Sequence, residues 1–204
     1  MNFLAHLVLA EENAEARMGN LLGDFCHGVD ISALPPAVHA GLLRHRAIDR
    51  FTDAAIEVRA AKALFSAQRR RFAPVIVDVL FDHFLLQHWL RFEQRPYATL
   101  CQQIYRDLWQ LRATMPAAMA ATVTSIVQHD WFASYRSIED IGLALDRIAS
   151  RIRFANQFSG SIDEIRLHYS ELNQLFLQFY PQLQTFVRQL GPEQIALTAS
   201  SASG

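Results

Sequence analysis

Apolar residues recur at intervals of three and four along almost the whole chain, and the strict apolar/polar alternation of half-buried strands is nearly absent. This periodicity predicts helices over Phe3–Ala16, Val38–Val58, Pro74–Phe92, Tyr97–Ala113 and Pro116–Gln128, and a last one running towards Leu190. Pro74 suits a first helical turn, where its missing N–H has no partner to lose. Pro181 is expected to bend or break the last helix. The glycines of "GNLLGDFCHG" mark a short helical or turn segment, "SALPP" a connection stopped by its prolines, and "HDWFASY" an aromatic-rich connection. Ser137 with Asp140, and Ser161 with Glu164, have the spacing of capping boxes. No internal repeat or linker interrupts the pattern, so the expectation is one all-α helical bundle over residues 1–192. The tail from 193 to 204, with its "TASSASG", has no apolar face and is expected to be disordered.

The polar residues that break this pattern are the informative ones. "DVLFDHFLLQHWL", residues 78–90, should be the inside of a buried helix, yet it holds Asp78, Asp82, His83 and His88. Desolvating a carboxylate costs several kcal/mol unless a cation, an arginine or a polar group compensates it. His45 and Asp49 are four apart and so share one helix face, as do Asp78 with Asp82 and Asn20 with Asp24. One divalent cation bound by imidazole nitrogen and carboxylate oxygen would satisfy these stripes together, and such a mixed set suits Mn, Fe or Zn. The competing reading is structural. A His–Asp pair flanked by Arg44, Arg46 and Arg50 is as readily a surface ion pair. His88, and His6 within "FLAHLVLA", read by default as hydrogen-bonded helix histidines.

Composition narrows the remaining classes. The 204-residue chain is 51% hydrophobic, which excludes a disordered protein, and its net charge of −1 excludes a generic polyanion binder. Only Lys62 among the 19 basic residues is a lysine. Cys26 and Cys101 have no metal-ligand spacing and form no disulfide framework. The apolar start "MNFLAHLVLAEEN" lacks the basic flank of a signal peptide, and no run is long enough to span a bilayer. A cytoplasmic protein without membrane or nucleic-acid partners is expected. There is no nucleophile elbow, phosphate-binding glycine loop, dinucleotide fingerprint or H-E-x-x-H.

Five blocks, "MNFLAHLVLA", "GNLLGDF", "HRAIDRFTD", "RRFAPVIVDVLFDHFL" and "LHYSELNQLFLQFYP", in that order from Met1 to about Pro181, resemble the bacterial acyl carrier protein phosphodiesterases. That family is distantly grouped with the all-α HD-type metal-dependent phosphohydrolases. The resemblance implies removal of 4′-phosphopantetheine from holo acyl carrier protein with the help of a divalent metal, foremost Mn²⁺, with Mg²⁺ or Fe²⁺ as options. Asp24, His45, Asp49, Asp78, Asp82 and His83 fall in matching blocks and are the expected ligands or their orienting partners; His6 and His168 fall in matching blocks too. The Asp82–His83 doublet reverses the His–Asp order of HD-type enzymes, so ligands do not transfer by order. His6 is the candidate proton donor or phosphate binder, and Arg44 or Arg46 the candidate phosphate clamp. Arg69, Arg70 and Arg71 are the candidate docking patch for a small acidic carrier protein, set against a plain solvated arginine cluster. Two alternatives accompany this reading: an HD-like hydrolase of a small nucleotide or phosphate ester, and a helical binding module whose His and Asp pairs are structural.

Overall fold

A computed structural model describes residues 1–154 and 156–193. Among them are twelve α-helices and no strand, as the periodicity predicts. They are α1 (Phe3–Leu9), α2 (Ala14–Leu22), α3 (Pro36–Ala54), α4 (Ile56–Ala63), α5 (Ala73–Gln87), α6 (Trp89–Phe92), α7 (Tyr97–Gln110), α8 (Ala117–His129), α9 (Trp131–Ser134), α10 (Ile138–Ala149), α11 (Ile162–Leu167) and α12 (Tyr169–Leu190). Helix α5 is the axis of the bundle. Ile76, Val77, Leu80, Phe81, Phe84 and Leu85 are buried on one half of its circumference and Val79, Asp82, His83 and Leu86 on the other, and it touches α1, α4, α10 and α12. A helix apolar on every side has to be surrounded, and each buried aliphatic or aromatic side chain contributes about 1.5–3 kcal/mol.

Several predicted helices are divided. Phe3–Ala16 is two helices, because Ala10 is extended at φ −72°, ψ 156° and Asn13 opens α2, its side chain accepting the Ala16 N–H at 2.7 Å. Val38–Val58 breaks at Ala55, with ψ 135° between α3 and α4, and Pro74–Phe92 breaks at His88 between α5 and α6. The aromatic connection "HDWFASY" contains the turn of α9, entered through a left-handed Asp130 at φ 45°. Ser137 caps α10 by accepting the Asp140 N–H at 3.3 Å. Ser161 caps nothing, and Glu164 instead accepts from the Ser66 N–H and from Arg69. Pro181 lies within α12 without ending it; buried Phe176, Phe179, Tyr180 and Leu183 hold both halves against the core. Glu193, expected to begin the disordered tail, is bonded to the bundle, and 194–204 lie outside the described residues.

Helices α2 and α3 cross most closely. An added Cβ on Gly19 would lie 2.1 Å from the Val38 carbonyl oxygen, and one on Gly41 would lie 2.5 Å from that of Ala16. Only hydrogen at both positions lets the two backbones meet. A buried Arg17–Asp107 ion pair then ties α2 to α7. Gly19→Ala is therefore expected to lower stability by about 3 kcal/mol through overpacking, read as a shift of the urea midpoint. An unchanged midpoint would show that the crossing is not tight.

Candidate active site

His6 from α1 and His45 from α3 stack face to face, with ring centroids 4.0 Å apart at 21°. Asp49, one turn beyond His45, lies across both edges. Its Oδ2 is 2.9 Å from His45 Nε2 and its Oδ1 is 3.2 Å from His6 Nε2. Both imidazoles are buried and Asp49 is half-buried. Each of the three offers a ligand atom, and these atoms lie within 4.8 Å of one another. Burial depresses the His6 pKa to about 4, against the pull of Asp49. Burial also pushes the Asp49 carboxyl upward, but contacts from His45 and His6 outweigh it and hold the group well below the usual carboxylate range. The cluster is therefore a carboxylate anion between two buried imidazoles, of which burial keeps His6 neutral.

The donor set fits a divalent cation. Nδ1 of His6 and Nδ1 of His45 are buried without a hydrogen-bond partner among the described residues, and Nε2 of His6 meets only Asp49, at 3.2 Å. Unpartnered buried ring nitrogens carry a cost that an ion would relieve. Two imidazole nitrogens and a carboxylate also match the borderline metals Mn, Fe and Zn. Gly23, which the spacing arguments overlooked, makes room for this arrangement. A Cβ there would lie 2.0 Å from His45 Cδ2 and 2.2 Å from its Nε2. The clustered glycines of "GNLLGDF" were the available signal, because a glycine outside a turn marks close approach.

The other expected residues divide between the rim and the frame. Asp24 follows Gly23 and is exposed, yet protein crowding its carboxyl raises its pKa, opposed by His45 and supported by Asp49. Asp78 is half-buried and accepts from the α-amino group of Met1 at 3.2 Å. Asp82 and His83 do not join the cluster. Asp82 accepts the N–H groups of Leu4 at 2.9 Å and Ala5 at 3.1 Å, anchoring the first turn of α1. His83 is held by the Tyr135 carbonyl at 2.7 Å and the Tyr169 hydroxyl at 2.8 Å, which occupies both ring nitrogens.

The arginines divide in the same way. Arg44 faces the other end of the chain, its Nε 2.9 Å from Glu193 and its Nη2 donating to the Gly191 carbonyl at 2.6 Å. Arg46 is half-buried and has no ion pair among the described residues. Arg69 binds Glu164 and the Ser159 carbonyl, Arg70 binds the carbonyls of Ala63 and Phe65, and Arg71 lies over Phe72 and Phe154. These contacts account for the arginine run as a local brace. His88 bonds Asn173, His168 sits at the junction of α11 and α12, and Asn20 bridges Ala16 and Glu193.

The anchoring role of Asp82 has a pH signature. Burial raises its carboxyl to about 7, against the two backbone N–H groups that favour the anion. A raised carboxyl pKa favours the protonated folded state. That contribution is complete below the ordinary value of 3.8 and is lost as pH rises through about 7. Wild type should accordingly lose stability relative to Asp82→Asn between those pH values. Parallel urea-unfolding profiles for the two proteins would refute this.

Comparison with known proteins agrees with the blocks in the sequence. The family model described as acyl carrier protein phosphodiesterase matches residues 1–183. A protein of that name from Serratia proteamaculans (strain 568) is 37% identical over 186 residues, covering 90% of this chain and 95% of its own. One from Yersinia pestis is 36% identical over 198 residues, covering 96% of this chain and 100% of its own. One from Escherichia coli O157:H7 is 35% identical over 186 residues, covering 90% and 95%. No solved structure gives a match, so the expected HD-like architecture has no structural relative to support it. With the family model spanning nearly the whole chain and relatives above 30% identity along it, the protein belongs to the acyl carrier protein phosphodiesterase family.

Proposed function

We propose that the protein hydrolyses the phosphodiester of holo acyl carrier protein, giving apo carrier protein and 4′-phosphopantetheine, at a divalent-metal site formed by His6, His45 and Asp49. The observation that carries this reading is the buried pair of imidazoles sharing one carboxylate in a chain of that family. A phosphodiester resists attack because its anionic oxygens repel a nucleophile. A divalent ion, Mn²⁺ before Mg²⁺ or Fe²⁺, supplies the neutralising charge and the acidification of water that the reaction needs. The new bond joins water oxygen to phosphorus. The bond to the carrier's serine oxygen breaks, and serine leaves as the alcohol with a proton.

The chain's own residues set the stage for this step. Asp49 fixes the orientation of both imidazoles through its two oxygens. Gly23 keeps the face of His45 uncovered by side-chain carbon. Asp24 and Asp78 add negative charge around the cluster, which favours cation capture, and are the further ligands or orienting groups of this proposal. Of the two arginines expected to clamp the phosphate, Arg46 is the one left available, since Arg44 is spent on Glu193 and Gly191. Among the described residues no helix is long and apolar enough to cross a membrane, and both cysteines are free. Those features accord with action on a carrier protein in the reducing cytoplasm.

Intact-mass spectrometry of holo acyl carrier protein incubated with this protein should show loss of the phosphopantetheine mass with Mn²⁺ and no loss with a chelator. His45→Ala should bind no stoichiometric metal and lose activity by at least about a hundredfold. Gly23→Ala should do the same by displacing the His45 ring while the helical content stays intact. Full activity in chelator, or metal retained by His45→Ala, would remove the cluster from the reaction.

A further inference from the structure

The chemistry above leaves unused a cavity of about 320 Å³ whose lining includes residues next in sequence to those of the site. Part of its lining is Asn2, Phe3, Phe25 and Val79, each a near neighbour in the chain of a residue of the site. Asn2 and Phe3 lie between Met1, whose amino group contacts Asp78, and His6; Phe25 follows Asp24; Val79 follows Asp78. Another part is made by α8, α9 and α10, with Trp131 and Ala144 on the walls and Arg147 and Arg151 at the rim. Both arginines are exposed, and neither guanidinium has an ion-pair or hydrogen-bond partner among the described residues. The volume is at the lower end of small-ligand sites, which run from about 300 to 1,000 Å³.

We propose that this cavity receives the pantetheine arm of the substrate, so that the phosphate rests at the His–Asp cluster while the arm lies between α5, α8, α9 and α10. The proposal rests on the hydrolysis of holo carrier protein set out above. The arm is the one part of that substrate both joined to the scissile phosphate and slender enough to enter. Its gem-dimethyl and thioethyl groups match Phe3, Phe25 and Val79. Its two amides meet the polar tips at the wall, the Asn2 amide and the Tyr135 hydroxyl, which already bond one another at 3.1 Å. A folded carrier protein cannot enter a space of this size. Its acidic surface would instead face the two unpaired cations at the rim, which gives Arg147 and Arg151 a purpose that internal pairing does not.

Two measurements test the cavity, one of them independent of turnover. Pantetheine, which lacks the phosphate, should change the fluorescence of Trp131 saturably in wild type. The change should vanish in Trp131→Phe, which keeps Trp89 and Trp109. Ala144→Phe, which fills the space from a half-buried position, should abolish the change and raise KM for holo carrier protein about tenfold or more with kcat little altered, the pattern of lost binding contacts. Thr122→Phe, from the facing helix, is the second variant if the first does not fold. Wild-type cleavage of holo carrier protein with no pantetheine-dependent signal and an unchanged KM in the filled variant would overturn the cavity assignment and leave the hydrolysis standing. A pantetheine signal without any cleavage by wild type would overturn the hydrolysis and keep the cavity as a pantetheine site.

Discussion

Two buried imidazoles stacked 4.0 Å apart cannot both carry a proton's charge without repelling one another, and Asp49 sets the terms for both. Burial argues against protonating His6, and the two histidines hold Asp49 ionised. A carboxylate between two imidazoles is a donor set that a divalent cation would satisfy well. Much of the surrounding structure serves to bring these three side chains into register. His45 and Asp49 need only the pitch of α3. His6 needs much more, because it arrives on a different helix.

Helix α1 has seven residues, too few to persist alone, since isolated helices shorter than about 12–15 residues are marginal in water. Its N-cap residue, Asn2, makes no side-chain cap. The missing cap comes from α5. Asp82 accepts two of the first-turn N–H groups, where the helix dipole also favours negative charge. Breaking that contact would strand a buried carboxylate and release the turn that carries His6. The close crossing of Gly19 and Gly41 works on the other partner, fixing α2 against α3 so that Gly23 lies under the His45 ring. Asp82 and Gly19 therefore govern the site without facing it.

This explains which parts of the molecule were legible in the sequence. The helical class follows from the apolar period, and the His45–Asp49 stripe from its four-residue spacing. The breaks at Ala10 and Ala55 were invisible because alanine is the best helix former; contacts elsewhere in the fold override its preference. Asp82 and His83, expected among the ligands or their orienting partners, are instead bonded to Leu4, Ala5, Tyr135 and Tyr169, for a different reason. A buried carboxylate needs a compensating positive group, and the exposed N–H groups of a helix start serve as well as a metal. The sequence of α5 records only that compensation is needed. Its source lies 78 residues earlier at Leu4, which no local pattern reveals. Arg44 shows the same limit, since its partner Glu193 belongs to the opposite end of the chain.

The distribution of charge around the site completes the physical picture. Asp24, Asp49 and Asp78 gather on one side, and the carboxyl of Asp24 is already pushed upward by burial and by Asp49. Such a gathering is unfavourable in an apolar surrounding unless positive charge offsets it; the Met1 amino group does so in part at Asp78, and no arginine pairs with any of the three among the described residues. Arg44 turns to Glu193, and Arg17 is consumed by Asp107. The fold thus spends its buried arginines on holding helices together and leaves the single Met1 ammonium to offset the acidic cluster. On the proposed function, a divalent ion captured here would offset most of this negative charge and so ease the approach of an anionic phosphate. Cation before phosphate would then follow from where the carboxylates lie as well as from the ligands a cation prefers.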